Sequence, residues 1–157
     1  MTLNHYWFRD VWSVSATAAR VFDALVDLAN WPRWWPDVRS VHKIDDGTAE
    51  LTCRALLPYA LTFRVHRAEQ DHTAGLLRVV MTGDLEGSCT GVVGAHHTGS
   101  RLDIDQRVVV NKRLLRTFAP IARPLFRANH AAMMWRGQRG LRGYLAPGSQ
   151  HRPDVGT

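Results

Sequence analysis

The sequence predicts an α+β fold, in which a curved antiparallel sheet of about seven strands wraps around a long C-terminal helix. Residues from Val38 to Asn111 alternate apolar and polar side chains, and their connections are too short for a crossover helix. Segments with helical apolar spacing stand before and after this stretch. Three tryptophans, Trp31, Trp34 and Trp35, directly follow the first helical segment.

Length and composition narrow the protein class. A chain of 157 residues is expected to form one domain. The net charge is +6, but the sequence has neither zinc-finger spacing nor an RNA-binding aromatic motif, so we expect no nucleic-acid partner. No apolar stretch approaches the ~20 residues of a membrane span, so no stable membrane insertion is expected. The first ten residues lack the pattern of a secretory signal, which favours a cytoplasmic protein with reduced cysteines.

The N-terminal segment predicts a strand and two short helices. The strand follows from apolar side chains that alternate with polar ones, at Tyr6, Phe8, Trp12 and Val14. Ser15 is suited to cap a helix over residues 16–29. The next turn carries the three tryptophans at spacing i, i+3 and i+4, which places their rings on one face. We expect them to fix this turn to the sheet edge, and one ring could also form a wall of a pocket.

Six further strands complete the predicted sheet. Turn signals such as Asp45-Asp46-Gly47 separate segments whose side chains alternate with a period of two. These segments are Val38–Ile44, Thr48–Leu57, Tyr59–Ala68, Leu76–Thr82, Glu86–Ala95 and Leu102–Val110.

The last third predicts a helix that begins at residues 114–119, is interrupted or kinked by Pro120 and Pro124, and runs on to Leu145. One stripe of this helix consists of Phe126, His130, Met133, Gly137, Leu141 and Tyr144. Residues 147–157 are rich in Pro, Gly, Ser and polar side chains, which predicts a disordered tail.

A long helix laid across a curved sheet leaves space beneath its middle. Small residues on the helix favour a cavity over a filled core; they are Ala122, Ala128, Ala131, Ala132, Gly137 and Gly140. In the alternative, large side chains fill much of the space; these are Phe126, Met133, Met134 and Trp135.

Two segments resemble a known superfamily. Residues 14–36, from Val14-Ser15-Ala16 to Trp31-Pro32-Arg33-Trp34-Trp35-Pro36, are similar to the N-terminal signature of START/Bet v 1-like (SRPBCC) proteins of the polyketide cyclase/dehydrase branch. Residues 124–134, followed by Gly137 and Gly140-Leu141, are similar to the closing helix of that branch. The resemblance implies a helix-grip fold over residues 1–146, with a hydrophobic ligand cavity between the sheet and the C-terminal helix.

Side chains expected to face this cavity supply the candidate site. The candidate ligand-binding residues are Trp35, Phe63, Val65, Val79, Met81, Ile104, Val108, Phe126, Asn129 and Met133. The candidate catalytic residues are His130, Gln106 and Arg54.

Each polar candidate has a second interpretation. His130 acts in proton transfer, or it is a buried histidine with a packing role. Asn129 binds ligand or lies on the helix surface. Arg54 and Arg64 face solvent unless a bulge turns them into the cavity. Adjacent His96 and His97 point to opposite faces of a strand, and no ligand spacing is present, so neither a metal nor another cofactor is expected.

The sequence thus predicts a protein that binds a small hydrophobic molecule, an aromatic polyketide-like or lipid-like metabolite, as a monomer or homodimer. If it is an enzyme, the chemistry implied by the resemblance is cofactor-independent cyclisation or dehydration of a poly-ketone. The alternatives are a carrier or sensor without catalysis, and a protein-interaction module that docks through the tryptophans and the arginine-rich helix.

Overall fold

The computed structural model describes residues 5–57, 60–111 and 119–147, with the side chains of the last helix described from residue 123 onward. The strands are β1 (His5–Val14), β2 (Val38–Asp45), β3 (Thr48–Cys53), β4 (Leu61–Asp71), β5 (Leu76–Gly83), β6 (Leu85–His96) and β7 (Gly99–Val110). The helices are α1 (Ala18–Val26), the single turn α2 (Trp31–Trp34) and the long α3 (Ala119–Tyr144), and a 3-10 turn (Leu28–Asn30) joins α1 to α2.

The seven strands form one antiparallel sheet in the order β1-β7-β6-β5-β4-β3-β2. This arrangement confirms the predicted meander: each hairpin neighbour along the chain is also a neighbour in the sheet, and β1 closes against β7. The alternation of side chains gives the sheet one apolar face, which carries the buried Leu51, Phe63, Met81, Leu102 and Val108. The long helix α3 lies across that face.

Several boundaries differ from the expectation. Helix α1 begins at Ala18, two residues late, because Thr17 rather than Ser15 is its N-cap; the Thr17 hydroxyl accepts a hydrogen bond from the Arg20 N–H. Strand β3 ends at Cys53 instead of Leu57, since the chain leaves the sheet there. The predicted helix start at residues 114–118 and the tail at 148–157 lie outside the described residues.

The tryptophans of α2, here called the tryptophan cluster (Trp31, Trp34 and Trp35), pack against one another with ring centroids 5.5–6.0 Å apart. The expected attachment to the sheet edge is only part of their role. The Trp35 indole N–H donates to the Met133 carbonyl of α3 at 2.9 Å, so the cluster also fixes the long helix. Trp34 and Trp35 are buried and Trp31 is half-buried, and docking of a protein partner through these tryptophans stays a prediction.

Among the small residues of α3 whose side chains are described, none lines the space between the helix and the sheet, contrary to the expectation. Ala128 and Ala131 are exposed to solvent. Gly137 lies against the rings of Trp12 and Trp35, where a Cβ would approach Trp35 Cε2 to 2.6 Å. Trp135 is 56% exposed, so it does not fill the interior, and Tyr144 is 37% exposed at the end of the predicted buried stripe.

Candidate functional site: a cavity between the sheet and α3

A cavity of about 150 Å³, here called the inner cavity, lies between the apolar face of the sheet and the N-terminal half of α3. Its walls come from all seven strands, from α1 and the 3-10 turn, from the tryptophan cluster and from α3 itself. An apolar cavity of this volume holds one benzene-sized ring in a well-studied protein, and typical ligand pockets begin at about 300 Å³. The space seen here therefore matches a single ring.

All ten candidate ligand-binding residues line the inner cavity; these are Trp35, Phe63, Val65, Val79, Met81, Ile104, Val108, Phe126, Asn129 and Met133. Their role in binding stays a prediction. The sequence analysis did not select Leu25, Leu28 and Trp31, which close the cavity from the helical side. The helical spacing of residues 16–29 marks Leu25 and Leu28 as apolar, but no sequence signal shows that these side chains reach the ligand space.

His130 and Gln106 meet inside the cavity wall. His130 Nε2 lies 3.1 Å from Gln106 Oε1. The imidazole ring also stacks on Phe8, with centroids 3.6 Å apart and planes 9° apart. Both side chains have the inward orientation that strand parity and the helical stripe predict.

Burial lowers the pKa of His130 from 6.5 to about 4, because the apolar surroundings disfavour the charged ring. The imidazole is therefore neutral at pH 7. A carbonyl oxygen only accepts, so with the Gln106 amide in this orientation the His130 Nε2–H donates and Nδ1 keeps the lone pair. The pair thus lines the cavity without placing a charge there, and beyond its mutual hydrogen bond it retains an acceptor nitrogen and an amide donor.

Asn129 is buried, so it does not lie on the helix surface, and its role in ligand binding stays a prediction. Its Oδ1 accepts hydrogen bonds from the backbone N–H groups of Leu56 and Leu57 at 2.7 and 3.0 Å. Asn129 therefore ties the segment after β3 to α3, at the edge of the inner cavity. The signal that could identify this role is the irregular segment itself, whose buried N–H groups need an acceptor.

Arg54 is not in the site, and its prediction as a cavity residue is wrong. The side chain is exposed, and the residue follows the end of β3, where its N–H donates to the Asp37 carbonyl. No bulge turns Arg64 inward either, since it faces solvent beside Glu50 with its Nε 3.6 Å from the carboxylate. The strand parity that directs apolar residues of β4 inward thus directs Arg64 outward.

The two cysteines, Cys53 and Cys89, line the cavity as neutral thiols. Burial raises the pKa of each to about 12. Neither thiol is thus suited to act as a nucleophile at neutral pH. Within the described ranges, no three side chains of the metal-binding types come together.

An ion pair missed by the sequence analysis fixes α3 beside the site. Arg136 donates from Nη1 to Asp37 Oδ1 at 2.9 Å, and Asp37 is only 2% exposed. The other carboxylate oxygen, Oδ2, has no hydrogen-bond partner among the residues that the structure describes. Asp37 follows Pro36 directly, and nothing in the local sequence distinguishes it from a surface turn residue.

No helix in the described part of the chain combines the length and the apolar character that a bilayer crossing requires.

Solved structures with the same fold have little sequence identity to this chain. The ZhuI aromatase/cyclase from Streptomyces sp. R1128 is 12% identical with a TM-score of 0.74, over 90% of this chain and 93% of that one. A START superfamily protein from Mycobacterium smegmatis is 13% identical with a TM-score of 0.69, over 88% and 96%. The di-domain aromatase/cyclase BexL from the BE-7585A biosynthetic pathway is 20% identical with a TM-score of 0.64, over 96% of this chain and 52% of that one.

No curated protein matches the sequence at a significant level. The family described as polyketide cyclase / dehydrase and lipid transport matches residues 14–133. That match begins at the last residue of β1 and ends in the middle of α3, and it contains most of the cavity wall. Together with the helix-grip fold, it shows that the chain belongs to the polyketide cyclase/dehydrase and lipid transport family of the START/Bet v 1-like superfamily.

Proposed function

We propose that this protein binds a small hydrophobic metabolite, with one ring or a short apolar chain in the inner cavity. The observation that carries the proposal is the cavity itself, about 150 Å³ of space beneath α3 with apolar walls. Of the described residues in those walls, Gln106, Asn129 and His130 supply the strongly polar side chains. A few convergent polar groups in an apolar pocket are the usual pattern of a small-molecule site.

The polar pair indicates what the ligand carries. His130 Nε2 and Gln106 Oε1 are engaged with each other, so a ligand meets the imidazole Nδ1 and the Gln106 amide Nε2. The first accepts a hydrogen bond from a hydroxyl, and the second donates one to a carbonyl. An aromatic ketone or phenol satisfies both groups, whereas an ion would enter an environment that already disfavours charge on His130.

A direct test is a titration with fluorobenzene, followed by fluorine NMR and calorimetry. The wall variant Val79→Phe fills the cavity and should abolish binding. The control Val80→Phe changes the adjacent residue of β5, which is 38% exposed on the opposite face and should leave binding unchanged. Absence of saturable fluorobenzene binding to the wild type would contradict the proposal.

Proton-transfer catalysis is the second candidate function, and the His130–Gln106 pair is the observation that favours it. The low pKa argues for binding as the primary role. A base with a pKa of about 4 lies roughly three units below the neutral pH to which general bases are usually matched. Each unit corresponds to about 1.4 kcal/mol of proton affinity.

Cyclohexanone separates the two functions, because it is ring-sized and exchanges its α-protons with solvent. A catalyst should accelerate deuterium incorporation, measured by NMR, and His130→Gln should remove the acceleration while cyclohexanone still binds. Binding without any acceleration in the wild type would leave the carrier or sensor role and exclude this form of catalysis.

A further inference from the structure

A second cavity of about 240 Å³, here called the outer chamber, opens at the other end of the same concave face. It lies between the 3-10 turn (Leu28–Asn30) and the hairpin of β2 and β3. Its apolar floor continues the inner face of the sheet through Val41 and Ala49, which are half-buried. No residue of the long helix from position 123 onward, where its side chains are described, lines this chamber.

The two cavities share a wall. Four residues line both of them: Leu28, Val65, Leu77 and Val79. The partition is therefore one layer of apolar side chains, and Leu28 contributes to it from a short 3-10 turn. Rotation of side chains in such a layer is enough to join the spaces. Together the two volumes exceed the roughly 300 Å³ at which typical ligand pockets begin.

The outer chamber is polar at its rim, unlike the inner cavity. Three carboxylates, Asp27, Asp45 and Asp46, stand against two cations, Lys43 and Arg67. Lys43 Nζ already pairs with Asp46 Oδ1 at 3.1 Å, and Arg67 Nη2 donates to the Asp46 carbonyl at 3.2 Å. An anionic group would therefore meet three carboxylates against two cations, of which Lys43 is already paired with a carboxylate and Arg67 already donates to two neutral oxygens.

Neutral hydroxyl groups fit this rim better. The hydrogen bond from the Gly47 N–H lowers the pKa of Asp45 below its usual 3.8 and keeps the carboxylate ionised as an acceptor. The rim also holds the Gln70 amide, whose Oε1 accepts from Arg67 Nη1 at 3.2 Å. Hydroxyl groups both donate to carboxylates and accept from amides and cations, so they can join this network without adding charge.

We propose that the two cavities form one site for an amphipathic ligand, whose apolar ring or chain occupies the inner cavity and whose neutral hydroxylated end occupies the outer chamber. The ligand enters past Leu28 at the hairpin end of the sheet. The inference rests on the proposed function for the inner cavity and specifies the chemical class of its ligand.

Two compounds with a similar apolar chain test the class of the polar end. Octyl glucoside carries a neutral hydroxylated end and octanoate an anionic one, and both are titrated by calorimetry below their critical micelle concentrations. We expect octyl glucoside to bind about ten-fold more tightly, a difference of about 1.4 kcal/mol. Equal affinities, or tighter octanoate binding, would overturn the inference.

Variants of the outer chamber locate the polar end. Ala49→Phe and Val41→Phe each fill this chamber without lining the inner cavity. Both variants should lower the affinity for octyl glucoside about ten-fold or more and leave the affinity for fluorobenzene unchanged. Unchanged fluorobenzene binding also shows that the variant is folded. Thr52→Phe is the matched control, because Thr52 lies on the opposite face of β3, beside Thr62.

The two proposals fail in different ways. If fluorobenzene does not bind the wild type, the inner cavity is not a ligand site and the proposed function is wrong. If fluorobenzene binds but neither chamber variant weakens octyl glucoside, the outer chamber takes no part and only this inference is wrong. If one of the two variants loses fluorobenzene binding, the other decides the result.

Discussion

From Arg136 to Leu141, α3 lies in direct contact with the tryptophan cluster, whereas from Phe126 to Met133 it stands above the inner cavity. In the C-terminal half, which contacts the tryptophan cluster, Gly140 meets the backbone carbonyl of Trp34, and Leu141 is fully buried. In the N-terminal half, which stands above the inner cavity, large side chains reach across to the sheet, as in the stack of His130 on Phe8.

The difference teaches what small and large residues do at this interface. Glycines allow the helix backbone to approach its neighbours closely, so Gly137 and Gly140 produce the tight contact rather than the hollow. The bulky Phe126 and Met133 keep the other half at a distance that their own volume does not fill completely. One half thus anchors the helix, and the other half encloses ligand space.

The largest effect should come from Gly140→Ala, which adds a Cβ where the Trp34 carbonyl oxygen already lies. We expect the free energy of unfolding to fall by about 3 kcal/mol, because neither backbone can yield easily. Gly143→Ala is the control three residues later, where a Cβ meets nothing within 4 Å. It should raise stability by up to about 1 kcal/mol through helix propensity. Denaturant unfolding measures the free energy of unfolding of both variants. Equal changes in the two would show that α3 is not tightly packed against Trp34 at Gly140.

His130 should make stability depend on pH. Its pKa is about 4 in the folded protein and 6.5 in the unfolded chain. Between these values the unfolded chain binds a proton that the folded protein does not, so the free energy of unfolding falls as pH drops from 6.5 to 4. The loss is at most about 3 kcal/mol. Measured by denaturant unfolding across this pH range, the free energy of unfolding should change less with pH in His130→Gln than in the wild type. An equal change in the two proteins would contradict the burial of His130 in apolar surroundings.

Arg136→Met tests the ion pair that holds the anchored half. The substitution leaves the buried Asp37 carboxylate without its cation, and we expect a loss of about 2 kcal/mol, since Arg136 itself is partly exposed. The double variant Asp37→Asn/Arg136→Met removes the buried charge and should recover at least half of that loss. If the double variant is no more stable than the single one, the pair does not contribute through charge.

The smallest effect should follow from Val108→Ile, which adds one methylene to the hollow half. Val108 is buried in the cavity wall, so the added group gains up to about 0.8 kcal/mol of burial without displacing a neighbour. The same change should weaken fluorobenzene binding by reducing the space. A loss of stability in thermal unfolding would indicate that the cavity is smaller than described.

Much of the fold follows from periodicity. The alternation along β7 places Leu102, Ile104, Gln106 and Val108 on one face, and the structure has all four in the cavity wall. The same rule directs Arg64 outward, which is why the alternative with arginine in the cavity fails. Asn129 shows the limit of this reasoning, since its partners are backbone N–H groups more than seventy residues away.

The sequence by itself determined the order of the elements, the antiparallel meander and the face on which each strand side chain lies, because these depend on spacings of two to four residues. Only the tertiary structure decided how far α3 stands from the sheet, which glycines meet tryptophans and where the outer chamber opens. Those distances depend on the volumes of side chains that meet across the interior from remote parts of the chain, and no local pattern contains that information.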